Sequence, residues 1–134
     1  MSKPMEDPGA HGPLVTLEEI EAASTRIKDV ALRTPLLPFP ELSEELGGEI
    51  RLKCESLQRA GSFKTRGATN FISQLSPDEL QRGVITYSSG NHGKALAMAA
   101  RSKSVRAVVV LPSTAPDIKV SGAKLLGAEV VLEG

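Results

Sequence analysis

The chain has 134 residues, of which 40% are hydrophobic and 24% charged, and its 16 acidic and 16 basic side chains leave no formal net charge. This composition is typical of a soluble globular domain, and the balanced charge with 3% aromatic residues argues against binding to nucleic acid or to a membrane surface. The single cysteine excludes an internal disulfide and fits a reducing compartment, so we predict a cytoplasmic protein.

The first third of the chain predicts a tail, two helices and a strand. Residues 1–15 are rich in proline and glycine and lack the apolar core of a signal peptide, so we expect a flexible tail. Thr16 and Glu19 form a capping-box pattern ahead of apolar residues at helical spacing. A short helix is expected over residues 41–46, and alternating residues 50–54 predict a half-buried strand.

The rest of the chain predicts an α/β fold. Ser62 is expected to cap a helix that runs to Leu75, and Ser76 to begin a short helix. Strand, helix, strand, helix and strand then follow over residues 84–87, 91–101, 105–111, 117–126 and 129–132. Right-handed crossovers make this βαβαβ unit a parallel sheet, which we place in a three-layer α/β architecture. Ligands of such sheets bind at the carboxyl ends of the strands.

One lysine stands out because of its position at the predicted helix start. It lies within the run Gly61-Ser62-Phe63-Lys64-Thr65-Arg66-Gly67. The partial positive charge of a helix N-terminus, together with the nearby Arg66, disfavours an ammonium at Lys64. A neutral amine is what a Schiff base with a carbonyl compound requires. The alternative is an ordinary solvated lysine.

A second motif follows the first strand of the βαβαβ unit. The run Ser88-Ser89-Gly90-Asn91-His92-Gly93 places backbone amides, two hydroxyls and a side-chain amide at a helix start. Such an arrangement suits a carboxylate or a phosphate, although a plain capped turn has a similar composition. The run matches neither a Walker loop nor a dinucleotide-binding glycine motif.

Taken together, these motifs resemble the fold-type II pyridoxal-phosphate enzymes of the serine/threonine dehydratase and serine racemase group. The matching elements run in the family's order and cover roughly residues 16 to 134. They are Thr34-Pro35-Leu36, Leu52-Lys53-Cys54-Glu55 with Gln58, Ser62 to Ala68, Ser88 to Gly93, and the stretch from Leu111 to Glu129.

The resemblance implies roles for individual residues. Lys64 would form the Schiff base with pyridoxal 5'-phosphate and act as acid and base at the α-carbon of the substrate. Phe63 would pack against the pyridine ring, and Asn91 would hydrogen-bond the phenolic oxygen of the cofactor. The loop residues Ser88, Ser89, Gly90, Asn91 and His92 would surround the substrate carboxylate.

The implied reaction is the dehydration and deamination of L-threonine or L-serine to a 2-oxo acid and ammonia. Racemases that resemble this family carry a serine at the position of Ser89 as a second acid/base, so serine racemase is an alternative. A carboxylate-binding or helix-capping role is the other interpretation of Ser89. The resemblance also implies an amino-acid substrate and a homo-oligomer in the full-length family. We expect no metal site, because no second histidine or cysteine stands at ligand spacing from His92.

The end of the chain suggests a portion of a longer enzyme. It stops at Glu133-Gly134, directly after a predicted strand, and no Gly-Gly-Gly run supplies the family's phosphate-binding loop. A catalytically inactive fragment is therefore a third alternative. We expect residues 16–60 to be the N-terminal segment of the large, cofactor-binding domain, and residues 61–134 to be the small α/β domain with Lys64 and the serine-rich loop.

Overall fold

The computed structural model describes residues 15–134, so the predicted tail at residues 1–15 lies outside the described residues except for Val15. The helices are α1 (Leu17–Ile27), α2 (Pro40–Leu46), α3 (Lys64–Ile72), α4 (Pro77–Arg82), α5 (Asn91–Ser102) and α6 (Asp117–Leu125). The strands are β1 (Leu36–Pro38), β2 (Arg51–Lys53), β3 (Val84–Tyr87), β4 (Ala107–Leu111) and β5 (Glu129–Leu132), and a 3-10 turn spans Glu55–Leu57. None of the helices between residues 15 and 134 is long and apolar enough to cross a bilayer.

Helix α1 begins at the predicted capping box. The Thr16 hydroxyl accepts from the amide of Glu19 at 3.2 Å, and the Glu19 carboxylate accepts from the amide of Thr16 at 2.8 Å. These two bonds satisfy backbone donors that a helix start leaves without partners. The helix ends at Ile27, its buried residue, and contacts α3.

Strands β1 and β2 form an antiparallel two-stranded ribbon, with Leu37 opposite Leu52. Helix α2 connects them and ends at Gly47, whose φ of 65° lies in the left-handed region that favours glycine. The strand predicted at residues 50–54 is present as β2, but it is not half-buried, because Leu52 is 46% exposed and its neighbours in β2 are exposed as well. A two-stranded ribbon buries a face only if another element covers it.

The predicted cap of α3 is also wrong. The Ser62 hydroxyl is buried and has no hydrogen-bond partner among residues 15–134, and the helix begins at Lys64 and ends at Ile72, before Leu75. The first turn is instead closed by backbone carbonyls: that of Ser62 accepts from the amide of Thr65 at 3.3 Å, and that of Phe63 accepts from Arg66 at 3.0 Å.

Strands β3, β4 and β5 form the predicted parallel sheet in sequential order, which confirms the α/β class and the βαβαβ unit. Val109 at the centre of β4 is fully buried, and it faces α5. Five residues of α5 join it in the main hydrophobic core: Ala95, Leu96, Ala97, Ala99 and Ala100. Small alanine side chains let the helix approach the sheet closely.

Helices α5 and α6 contact each other and lie on the same face of the sheet, as right-handed crossovers between sequential strands require. The opposite face carries Ile85 and Tyr87, which are 70% and 68% exposed. Within residues 15–134 the sheet therefore has a helical layer on one face only. The loop that begins at Ser88 leaves the carboxyl end of β3, the edge at which ligands of parallel sheets bind.

Candidate active site around Lys64

Lys64 is the first helical residue of α3, and its side chain is exposed. Its Nζ lies 4.8 Å from the centroid of the Phe63 ring, which is itself 60% exposed. Two features predicted from the sequence thus occur together, namely an amine at a helix N-terminus and a flat apolar surface beside it. An accessible amine in this position can reach a bound carbonyl compound.

The positive charge of Arg66 is neutralised by a carboxylate that the sequence analysis did not assign to the site. Arg66 Nε donates to Glu55 Oε2 at 2.9 Å, and Nη2 donates to Glu55 Oε1 at 2.6 Å. These hydrogen bonds, with a further one from Thr34 and against the opposing effect of burial, lower the pKa of Glu55 from 4.5 to about 2. The same pairing raises the pKa of Arg66. The prediction that Arg66 acts on Lys64 neglects this pairing.

The loop after β3 is organised by Ser88. Its Oγ accepts from the amides of Gly90 at 3.3 Å and Gly93 at 3.1 Å, so this hydroxyl caps the start of α5. The next four residues, Ser89, Gly90, Asn91 and His92, are all exposed, and α5 begins at Asn91. Within residues 15–134 the Ser89 and Asn91 side chains form no hydrogen bonds, which leaves their polar atoms free for a ligand.

Gly93 allows this loop to lie close to the sheet. A Cβ atom at this position would stand 2.9 Å from Val109 Cγ1 and 3.0 Å from the Ser88 carbonyl oxygen. Both distances are shorter than ordinary contacts, so only glycine fits between the first turn of α5 and β4. The hydrogen bond from the Gly93 amide to Ser88 depends on this close approach.

A cavity of about 700 Å³ joins the two motifs. Phe63 and Lys64 line it from the start of α3, and His92 lines it from the start of α5. Phe71 and Leu96 contribute apolar wall further along the same two helices. Ser88, Ser89, Gly90 and Asn91 are not part of this wall and lie in the loop directly before His92.

The cavity suits a flat, aldehyde-bearing cofactor. Its volume falls within the range of small-molecule sites, about 300–1,000 Å³, and its wall is mainly apolar with a few polar groups, as is usual for such sites. Lys64 supplies the amine for the aldehyde, and the exposed Phe63 ring beside it offers a surface for an aromatic ring. The residues present therefore fit the group that the sequence implies.

A metal site finds no support in the described part of the chain, where no cluster of three or more His, Cys, Asp or Glu side chains could hold an ion. Cys54 is a free, half-buried thiol whose Sγ lies 3.6 Å from the Leu52 carbonyl oxygen. Neither observation adds a residue to the site around Lys64.

Comparison with known proteins identifies relatives over most of the chain. Residues 27–134 match the family described as pyridoxal-phosphate dependent enzyme. L-threonine ammonia-lyase of Thermotoga maritima is 47% identical over 121 residues, which are 90% of this chain and 30% of that protein. Serine racemase of Dictyostelium discoideum is 45% identical over 116 residues, 87% of this chain and 36% of that protein.

The fold agrees with these relatives. The crystal structure of the Dictyostelium discoideum serine racemase superimposes with a TM-score of 0.84 at 44% identity, covering 88% of this chain and 38% of that one. The chain thus spans about a third of the length of the relatives that it matches.

Proposed function

Because the chain belongs to the pyridoxal-phosphate-dependent enzyme family, we propose that it serves the dehydration and deamination of L-threonine or L-serine to a 2-oxo acid and ammonia. The observation that carries this proposal is the placement of Lys64 at the first position of α3, where it lines a cavity of about 700 Å³ together with Phe63 and His92. The relatives of known name include an L-threonine ammonia-lyase.

Lys64 is the central residue of the proposed site. Its amine would hold the cofactor through the aldehyde and, once the amino group of the substrate has displaced it there, would be free to take the α-proton of the substrate. The cofactor, when bound, supplies an electron sink for the carbanion that this proton transfer generates. Loss of the β-hydroxyl as water and hydrolysis by water then give the 2-oxo acid and ammonia.

Other residues orient the two ligands. The exposed Phe63 ring would pack against the pyridine ring, and the Asn91 side chain, free of hydrogen bonds to residues 15–134, would donate to the phenolic oxygen of the cofactor. The substrate carboxylate binds at the exposed residues Ser89 to His92. Ser88 contributes by holding the loop, because its Oγ already accepts from two amides.

The two sheets support the division of the chain expected from the sequence. The antiparallel ribbon of β1 and β2 lies within residues 16–60, and the parallel sheet lies within residues 61–134. We assign the first segment to the large domain of such an enzyme and the second to its small domain.

Serine racemization is the second candidate, and Ser89 favours it. Its hydroxyl is exposed beside the proposed carboxylate site, where it is available as a second acid/base, and several relatives are named serine racemase. A second acid/base on the opposite side of the α-carbon from Lys64 would return a proton to the other face.

Product analysis tests both candidates. The chain with pyridoxal phosphate is given L-threonine or L-serine, and 2-oxobutyrate, pyruvate and D-serine are measured. The dehydratase proposal predicts 2-oxo acid formation that Lys64→Ala abolishes, whereas Lys124→Ala, at an exposed lysine of α6, retains it. D-serine without a 2-oxo acid would favour racemization, which Ser89→Ala would then remove. Absence of all three products would refute a catalytic role of this chain and favour the third alternative, a catalytically inactive fragment.

A further inference from the structure

The first turn of α3 presents two basic side chains to opposite sides. Residues two positions apart in a helix are separated by about 200° around its axis, so Lys64 and Arg66 point in nearly opposite directions. Lys64 lines the large cavity with Phe63 and His92. Arg66 lines a different, smaller cavity, of about 380 Å³, on the side of α1 and β2.

Arg66 attaches this turn to the preceding part of the chain. Besides its two bonds to Glu55, its Nη2 donates to the Leu32 carbonyl oxygen at 3.0 Å. The Glu55 carboxylate accepts a further bond from the Thr34 hydroxyl at 2.5 Å, and the Thr34 carbonyl accepts from Lys53 Nζ at 2.5 Å. The Glu55 side chain is 16% exposed and that of Arg66 is 34% exposed, so water screens this pair less than an exposed pair.

Gln58 fixes the same segment from a second direction. Its Oε1 accepts from the Leu32 amide at 2.8 Å, and its Nε2 donates to the Leu32 carbonyl oxygen at 2.9 Å. Gln58 is 3% exposed, and Thr34 is 4% exposed. Each partner of Arg66 is therefore held by a further side chain, Leu32 by Gln58 and Glu55 by Thr34.

The position of Arg66 has no explanation within α3 itself. A cation at the third position of a helix opposes the helix dipole, which favours acidic residues in the first turn. The pairing with Glu55 compensates for this cost, and a bidentate guanidinium–carboxylate contact also fixes direction. What this contact fixes is the backbone from which Lys64 projects.

We infer that Glu55 and Arg66 are positioning residues, which hold the first turn of α3 so that the Lys64 amine faces the cavity and meets the cofactor aldehyde. This inference rests on the proposed function, because it requires that Lys64 binds pyridoxal phosphate. The two groups act on the opposite side of the helix from the cavity and touch neither cofactor nor substrate.

Site-selective labelling tests this inference. The protein is mixed with limiting pyridoxal phosphate, whose aldehyde condenses with a lysine amine and releases water, and borohydride then reduces the carbon–nitrogen double bond to a stable secondary amine. Peptide mass spectrometry gives the share of pyridoxyl label at Lys64 relative to Lys124 in the same molecules. Because both lysines are exposed, a ratio well above one in the wild type reports the environment of Lys64.

Three variants and one control decide the outcome. Arg66→Gln and Glu55→Gln are expected to lower the Lys64 share about tenfold, because misplacing a reacting group carries penalties of this order or larger. Arg66→Lys keeps the positive charge but cannot make the bidentate contact of a guanidinium, and it is expected to lower the share of label at Lys64 about threefold. The control Arg106→Gln breaks the exposed Arg106–Glu129 pair and should leave the share of label at Lys64 unchanged.

The labelling is measured on variants that circular dichroism shows to be folded, and Arg66→Lys carries the test if the glutamine variants unfold. Folded variants of Arg66 and Glu55 that label Lys64 as the wild type does would overturn the inference while leaving the proposed function intact. A wild type that shows no preference for Lys64 would instead refute the proposed function.

Discussion

The contact between α5 and β4 gives a quantitative prediction for Gly93→Ala. The added Cβ would lie 2.9 Å from Val109 Cγ1 and 3.0 Å from the Ser88 carbonyl oxygen, whereas unstrained carbon contacts lie at about 3.5–4.0 Å. Val109 is fully buried, so neither group can move into solvent, and the first turn of α5 must shift. Overpacking of this kind costs about 1–3 kcal/mol. We expect Gly93→Ala to lower the free energy of unfolding by about this amount.

Urea unfolding followed by far-ultraviolet circular dichroism measures this change. With a slope of about 1–2 kcal/mol per molar for a domain of this size, the midpoint should fall by about 1 M. Gly67→Ala is the matched control, because a Cβ at this interior position of α3 meets nothing within 4 Å. It should leave stability unchanged or raise it by up to about 1 kcal/mol, since alanine is the better helix former. A Gly93→Ala protein with the wild-type midpoint would refute the packing argument.

Three further changes are expected to follow from single hydrogen-bonding groups. Since the folded-state pKa of Glu55, about 2, lies below its ordinary 4.5, its stabilising contribution is complete above about pH 5 and is lost as the pH falls toward 2. Glu55→Gln should lower the free energy of unfolding at pH 7, and urea titrations should show that this free energy then depends less on pH between about 5 and 2. An unchanged dependence on pH in this range would contradict the pairing of Glu55 with Arg66. Ser88→Ala should lower the free energy of unfolding by about 1–2 kcal/mol, because it leaves two backbone amides without their acceptor. Ser89→Ala should change it by no more than about 0.5 kcal/mol. Equal urea midpoints for the two variants would show that Ser88 does not cap α5. Ser76→Ala removes the capping box of α4 and should cost about 1 kcal/mol in the same assay; no change would mean that α4 does not depend on it.

The order of the elements was predictable because local patterns determine it. The capping box at Thr16 and the apolar runs that became β3, β4 and β5 depend on hydrogen bonds and periodicities within a few residues. Right-handed crossovers then make this βαβαβ unit a parallel sheet. The fold class therefore followed from short-range features and one topological rule.

Two of the errors concern contacts between distant parts of the chain, and one concerns the geometry of a single turn. Alternation at Leu52 predicts a strand, but whether that strand is buried depends on which elements cover it. Ser62 has the side chain of a cap, yet the backbone carbonyls of the turn close it instead. Arg66 is near Lys64 in sequence, but its partner Glu55 lies 11 positions away, directly after the predicted strand at residues 50–54.

In the candidate site, too, local patterns were predictable and contacts made by the folded chain were not. The sequence identified Lys64 and the run from Ser88 to His92 by residue type, and their roles stay predictions. It did not show that Ser88 accepts hydrogen bonds from the start of α5, because identical side chains differ only in what the folded chain places around them. An arginine in the first turn of a helix was the one local signal that a carboxylate partner had to be sought.

Lys64 is proposed to bind pyridoxal phosphate, and a spectral titration shows whether it does. The purified chain is titrated with pyridoxal phosphate, and the absorbance at about 410–420 nm, expected for a lysine linked to the cofactor aldehyde, is recorded. We expect a saturable band that is present in the wild type and in Lys124→Ala and absent in Lys64→Ala. A band that survives in Lys64→Ala, or its absence from the wild type, would refute this role of Lys64.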